Sequence, residues 1–290
     1  MCIRDSQFNG NIIVTQTGSS VGTAFGWASG CTITQASGKT ISVGAAGYNT
    51  GYLQIERFTQ QGTTPINLTL TGTASLTFGP TSSIGGDLVS SSPALFFNGC
   101  TFNGMVNSTK TGATNDLGNG GDIFNNTTII TNAGSGYLAL ANSNPDQFNS
   151  TSTFNNTGTA NLYVANNSTN NTFNGVTTFN NTPTGNNLIY VSQYSTGTTF
   201  NNNIVVSSTN GWGVQFCTGN ATAATTLSSG YTISIGSGGF SAGTLNLKQF
   251  TQQGTTPINL TLTGATTLVQ TGPSSAFGGD FTVVSPRVLN

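Results

Sequence analysis

The chain has 290 residues, of which only 4% are charged, with a net charge of −1 and no histidine. So little charge supplies no basic field for nucleic acid or anionic lipid, and no apolar run approaches the ~20 residues of a membrane-spanning helix. Helix formers are scarce while β-branched and aromatic residues abound, which excludes a helical protein and points to an all-β fold.

The first six residues, Met1-Cys-Ile-Arg-Asp-Ser6, spell what a sequencing-library adapter encodes when read in frame, so residues 1–6 are set aside as non-native. The remainder, 7–290, reads as one continuous repeat array, expected to be cut at both ends. Phe8-Asn9 opens it and recurs as Phe200-Asn201. Residues 38–44 recur as 230–236, and residues 58–72, FTQQGTTPINLTLTG, recur letter for letter at 250–264. The offset is 192 residues throughout, giving a long unit over 7–198 and a partial second copy over 199–290. Self-similarity of this length is the mark of an array in which each unit buries its apolar face against the next.

A shorter period lies inside the long one. Phe-Asn opens each segment at Phe102-Asn103, Phe124-Asn125, Phe148-Asn149, Phe173-Asn174 and Phe200-Asn201, at spacings of 22, 24, 25 and 27 residues. An apolar residue usually follows six positions on (Val14, Ile130, Phe154, Phe179, Val206), so positions 0, 2, 4 and 6 predict one face of a strand. A Gly/Asn/Thr turn then leads to a second strand, such as 161–165 or 187–191. This pattern predicts a parallel β-solenoid of about a dozen coils, 22–27 residues each, eight to the long unit. One Phe column and one Asn column would run along the axis, the Asn amides bonding to one another as in other stacked β structures. The alternative is a string of tandem β-sandwich repeats.

Candidate chemistry is thin. Cys31, Cys100 and Cys217 form no CxxC pair and read as small buried apolar residues. Outside the adapter stretch the acids are Glu56, Asp87, Asp116, Asp122, Asp146 and Asp280. Only Asp122 and Asp146 fall in phase, each two residues before a coil-opening Phe, with Cys100 and Asn171 flanking them in that column. On rungs ~4.8 Å apart they would share a Ca²⁺ or raise one pKa, or simply be solvated turn residues, which is the expectation adopted. No catalytic residue, metal site or cofactor is expected. Tyr163 and Tyr190 face outward on adjacent coils, with Gln215 next and Trp212 nearby. Exposed rings one rung apart offer planes for stacking on sugars, or are simply good outward β residues.

The phrases TFNNNIVV, SGYTISIG and NLTLTG, together with the repeated Phe-Asn openings, resemble the very long β-strand-repeat surface proteins of bacteria. Many of these are adhesin-like and exported by type IX secretion. The resemblance covers nearly all of the chain and implies a secreted or cell-surface rod with a structural or adhesive role. It carries over no catalytic residue. Its implied partners are surface glycans, or other copies meeting at open solenoid ends. The alternative role is a non-catalytic carbohydrate-binding segment of a larger secreted enzyme.

Overall fold

The computed structural model describes residues 6–18, 21–272 and 274–287. It is an all-β parallel solenoid of thirty-four short strands. In every sheet, hydrogen-bonded neighbours lie three elements apart in the chain order, with one exception at the final strand pair. Each coil therefore contributes one strand to each of three faces. The first face has eleven strands, from Ser6–Phe8 to Phe250–Gln252. The second has ten, from Ile12–Gln16 to Ile233–Phe240, and Ile258–Thr261 with Phe281–Val284 continues it. The third is split into a four-stranded and a seven-stranded sheet, from Gly22–Phe25 to Leu268–Thr271. All strand pairs are parallel, as a coil connectivity requires and a sandwich does not. Eleven rungs give a rod about 50 Å long. Ser6, the last residue of the stretch read as an adapter, lies in the first strand, paired with Ile33, whereas residues 1–5 lie outside the described residues.

Two features differ from the sequence reading. Positions 0 to 6 after each Phe are not one strand. Thr198–Phe200 ends on the first face and Ile204–Ser208 begins the second, with the Asn cluster between them forming a corner. Polar turn residues such as Asn break the strand there because their side chains bond local backbone: Asn202 Oδ1 accepts the Asn203 N–H at 2.9 Å. Coil length also varies more widely. The coil between Ser90 and Ser108 takes only 18 residues, and that between Asn174 and Asn201 takes 27.

The phenylalanine column is continuous from Phe102 through Phe124, Phe148 and Phe173 to Phe200. Successive rings stack 4.5 to 5.0 Å apart, within 3 to 11° of parallel. On the neighbouring corner Asn125, Asn149, Asn174 and Asn201 each donate Nδ2 to the Oδ1 of the previous asparagine at 2.8–2.9 Å, starting from Asn103. Phe8 stands in the same column but four coils away from Phe102, with Gln35, Gln60 and Ile84 between them. The Phe8-Asn9 opening therefore has no aromatic neighbour on the next rung.

An exchange within each rung explains the interruption. First-face strands have two inward positions, and one is large and apolar while the other is smaller or polar. Eight coils place the apolar residue second: Ser6/Phe8, Ser82/Ile84, Cys100/Phe102, Asp122/Phe124, Asp146/Phe148, Asn171/Phe173, Thr198/Phe200 and Thr225/Leu227. Three place it first, as Ile33/Gln35, Phe58/Gln60 and Phe250/Gln252. Gln60 Nε2 bonds back to Thr64 O at 2.7 Å, and its repeat Gln252 does so to Thr256 O at 2.6 Å. Gln35 is fully buried with neither amide atom bonded, and the residue 192 positions on is Leu227. Burying an amide without partners costs about 1–3 kcal/mol. Gln35→Leu should therefore raise the unfolding free energy by about that amount, whereas Phe148→Ala should lower it by about 3–5 kcal/mol. Denaturant titration of the three chains measures both, and a destabilised Gln35→Leu would contradict the account of the exchange.

Candidate functional site

Two side-chain groups could carry function: a buried carboxyl pair and an outward aromatic strip. The carboxyl pair sits in the first inward column. Asp122 and Asp146 occupy neighbouring rungs between Cys100 and Asn171, as the spacing predicts. They are not solvated. Asp122 is 0% and Asp146 2% exposed, because the strand turns their positions inward rather than into the turn.

Each side chain in this column serves the coil before it. The chain leaves the third face through a left-handed residue (Ala141 at φ 52°, Ala165 at 52°, Ser192 at 54°), and the corner that follows leaves backbone N–H groups without ladder partners. Asp122 Oδ1 accepts those of Gly99 at 3.0 Å and Cys100 at 2.8 Å. Asp146 Oδ1 accepts that of Asp122, and Asn171 Oδ1 that of Asp146, each at 3.0 Å. Asn171 Nδ2 donates onward to Ser195 Oγ at 2.9 Å. Asp122 Oδ2 is buried and meets no other donor. A proton held by Asp146 and given to Asp122 satisfies it, and two adjacent carboxyls in a dry interior cannot both ionise cheaply. Burial raises Asp122 to about 7 against the pull of the Cys100 and Gly99 N–H groups. It also raises Asp146 well above the usual carboxylate range, reinforced by the Asp122 charge.

A cation would have to compete with backbone donors for these oxygens, and no group of three or more His, Cys, Asp or Glu stands together among the described residues. The pair is thus suited to holding protons. A second buried ionisable pair, Lys110 with Asp116, was missed. Lys110 belongs to another inward column, Ser92, Lys110, Asn132, Asn156, Asn181 and Ser208, at the end of each second-face strand. Its signal in the sequence is a constant offset: each residue stands eight after the first-face column residue (Ile84, Phe102, Phe124, Phe148, Phe173, Phe200).

The aromatic strip lies on the third face. Tyr163 pairs in register with Tyr190, and Tyr190 with Gln215. The two rings stack on each other, 5.0 Å apart and 8° from parallel, and Tyr137 closes on Tyr163 edge-on at 5.5 Å. Both tyrosines are half-buried. The expected pair of free ring planes is therefore not found, because in-register rungs already sit at aromatic stacking distance. Trp212, on the next coil just ahead of Gly213–Phe216, is 56% exposed and is the large free ring of this strip. Trp27, just past the strand Gly22–Phe25, is 59% exposed and stacks against Tyr52 at 6.3 Å.

Comparison with protein-family models, with curated proteins and with solved structures finds no match to this chain.

The carboxyl pair sets a pH dependence. Both folded pKa values lie above the unfolded value of 3.8, so the folded chain holds more protons than the unfolded one at intermediate pH. Their stabilisation is complete below about pH 4 and is lost as pH rises through about 7 and beyond. Asp116, also raised by burial, adds the same sign, while Lys110, lowered by burial, opposes it at alkaline pH. The melting temperature should fall between about pH 4 and about pH 8, and Asp146→Asn, whose amide can both accept and donate as Asn171 does, should flatten that fall. An unchanged slope in the variant would remove the shared proton.

Proposed function

We propose that this chain is a non-catalytic stalk segment of a large exported or cell-surface repeat protein, structural or adhesive in role. The observation that carries the reading is the parallel stacking of successive coils, continuous over eleven rungs on the first face and followed by the other two. The disposition of the carboxyls supports it, since Asp116, Asp122 and Asp146 are all buried and bonded to backbone N–H groups. Asp87 is engaged too, accepting the Met105 N–H at 2.8 Å. Secretion and a surface address follow from the resemblance of the repeats to long bacterial surface proteins, and they belong to this proposal. So does self-association of the rods.

A second reading, carbohydrate binding along the third face, is favoured by exposed Trp212 beside the tyrosine stack. A panel of soluble polysaccharides tested against the wild-type chain and Trp212→Ala separates the two. The stalk reading expects no saturable binding by either chain. Binding by the wild type that is lost in Trp212→Ala would replace it with the second.

A further inference from the structure

Lys110 is fully buried, unlike Lys39 and Lys248. It ends the second-face strand Val106–Lys110, and its Nζ donates to Gly112 O at 2.7 Å. The nearest carboxylate oxygen, Asp116 Oδ2, is 3.8 Å away, longer than the 2.7–2.9 Å of a charge-assisted bond. Asp116 is fixed by other partners, with Oδ2 accepting the Leu95 N–H and Oδ1 the Thr114 hydroxyl, both at 2.8 Å. It also takes the place of leucine in an inward third-face column where Leu76 and Leu95 precede it and Leu138 and Leu162 follow.

The next residue in the Lys110 column is Asn132. Its Oδ1 accepts the Gly134 N–H at 3.4 Å, and its Nδ2 donates to Asn161 O at 3.1 Å. Gly134 lies directly over Gly112, so closely that a Cβ there would run into Gly112 O, the oxygen that holds Lys110 Nζ. Amine and carboxamide therefore occupy the same corner on consecutive rungs, with a carboxyl group beside the amine. Burial favours the neutral amine and the neutral acid. A desolvated lysine amine gives up its proton more readily and is then a nucleophile, and a neighbouring carboxyl group is a proton relay.

We propose that Lys110 Nζ condenses with the side-chain amide of Asn132 to form an isopeptide bond stapling two consecutive coils. Nζ attacks Asn132 Cγ and the new C–N bond forms. Asp116 passes a proton to the departing Nδ2 and recovers one from Nζ. The old Cγ–Nδ2 bond breaks and ammonia leaves, so that amine plus amide becomes a substituted amide plus ammonia with no oxidant or cofactor. The bond would tie Val106–Lys110 to Thr128–Asn132, a crosslink inside the rod that holding the fixed geometry makes effectively unimolecular.

Intact-mass spectrometry of the full chain in denaturant, followed by proteolysis, tests this. The wild type should run one ammonia lighter than its sequence and yield a branched peptide joining Lys110 to Asn132. Lys110→Arg and Asp116→Asn should run at full mass. A wild type at full sequence mass overturns the proposal, and because it needs no variant to fold, that result is decisive. Loss of ammonia without the branched peptide, as from a backbone succinimide, overturns it too. Loss of one water instead would place the bond on a carboxyl and not on Asn132.

Discussion

Parallel, in-register stacking at ~4.8 Å is the constraint on which the rest of this structure depends. It places every side chain directly above and below the same position of the adjacent coils, so a residue type succeeds only if it tolerates its own kind at that distance. Phenylalanine does by offset stacking, asparagine by amide-to-amide bonding, tyrosine by ring stacking. Each produces a column here: Phe102 to Phe200, Asn103 to Asn201, and Tyr163 with Tyr190. Lysine, arginine, aspartate and glutamate fail that test, because like charges one rung apart repel. A charged fraction of 4% is what such stacking demands of the surface. Where two aspartates do meet, at Asp122 and Asp146, burial and a shared proton remove the repulsion.

The interior is not uniformly apolar, and its polar columns have a mechanical purpose. A three-faced coil turns three corners per rung, and every corner interrupts the backbone ladder. The Asp122 to Asn171 column supplies acceptors to N–H groups at one corner. The Asn132 to Asn181 column supplies donors to carbonyl groups near another, such as Asn132 to Asn161 O and Asn156 to Leu188 O. Polar networks of this kind fix register at some cost in burial. The glycines on top of them, Gly112, Gly134 and Gly158, let consecutive turns pack backbone to backbone.

Much of this architecture was legible because columns leave a period in the sequence. The Phe-Asn openings located the first face and its corner, and the 24-residue spacing of Asp122 and Asp146 correctly made them neighbours. What spacing alone does not give is which way a position faces when the strand is only two or three residues long. Asp122 and Asp146 read as turn residues for that reason, and a strand as short as Ile123–Phe124 hides the turn inward. Lys110 was missed because a lone charge among Ser and Asn in its column breaks the type but not the offset. The tyrosines were placed on the right rungs, yet the same stacking distance that aligns them closes their ring faces.

The exchange of polar and apolar residues within a first-face rung bears on why residues 58–72 and 250–264 are identical while their surroundings are not. Phe58 follows Ile33 and precedes Ser82, whereas Phe250 follows Thr225. The second-face column is apolar at Leu70 just before its polar run begins at Ser92, and it has already returned to an apolar residue at Phe240, the partner of Ser208, one coil ahead of Leu262. The Phe58 coil therefore borders both inner polar columns and the Phe250 coil borders the first-face one, and each must mate with a rung of the opposite polarity order. Gln60 and Gln252 manage the mismatch by turning their amides to the loop carbonyls of Thr64 and Thr256, which requires the same loop, and hence the same letters, in both copies. Identity concentrates where the packing rule changes, because there a substitution has two different neighbours to satisfy rather than one repeated.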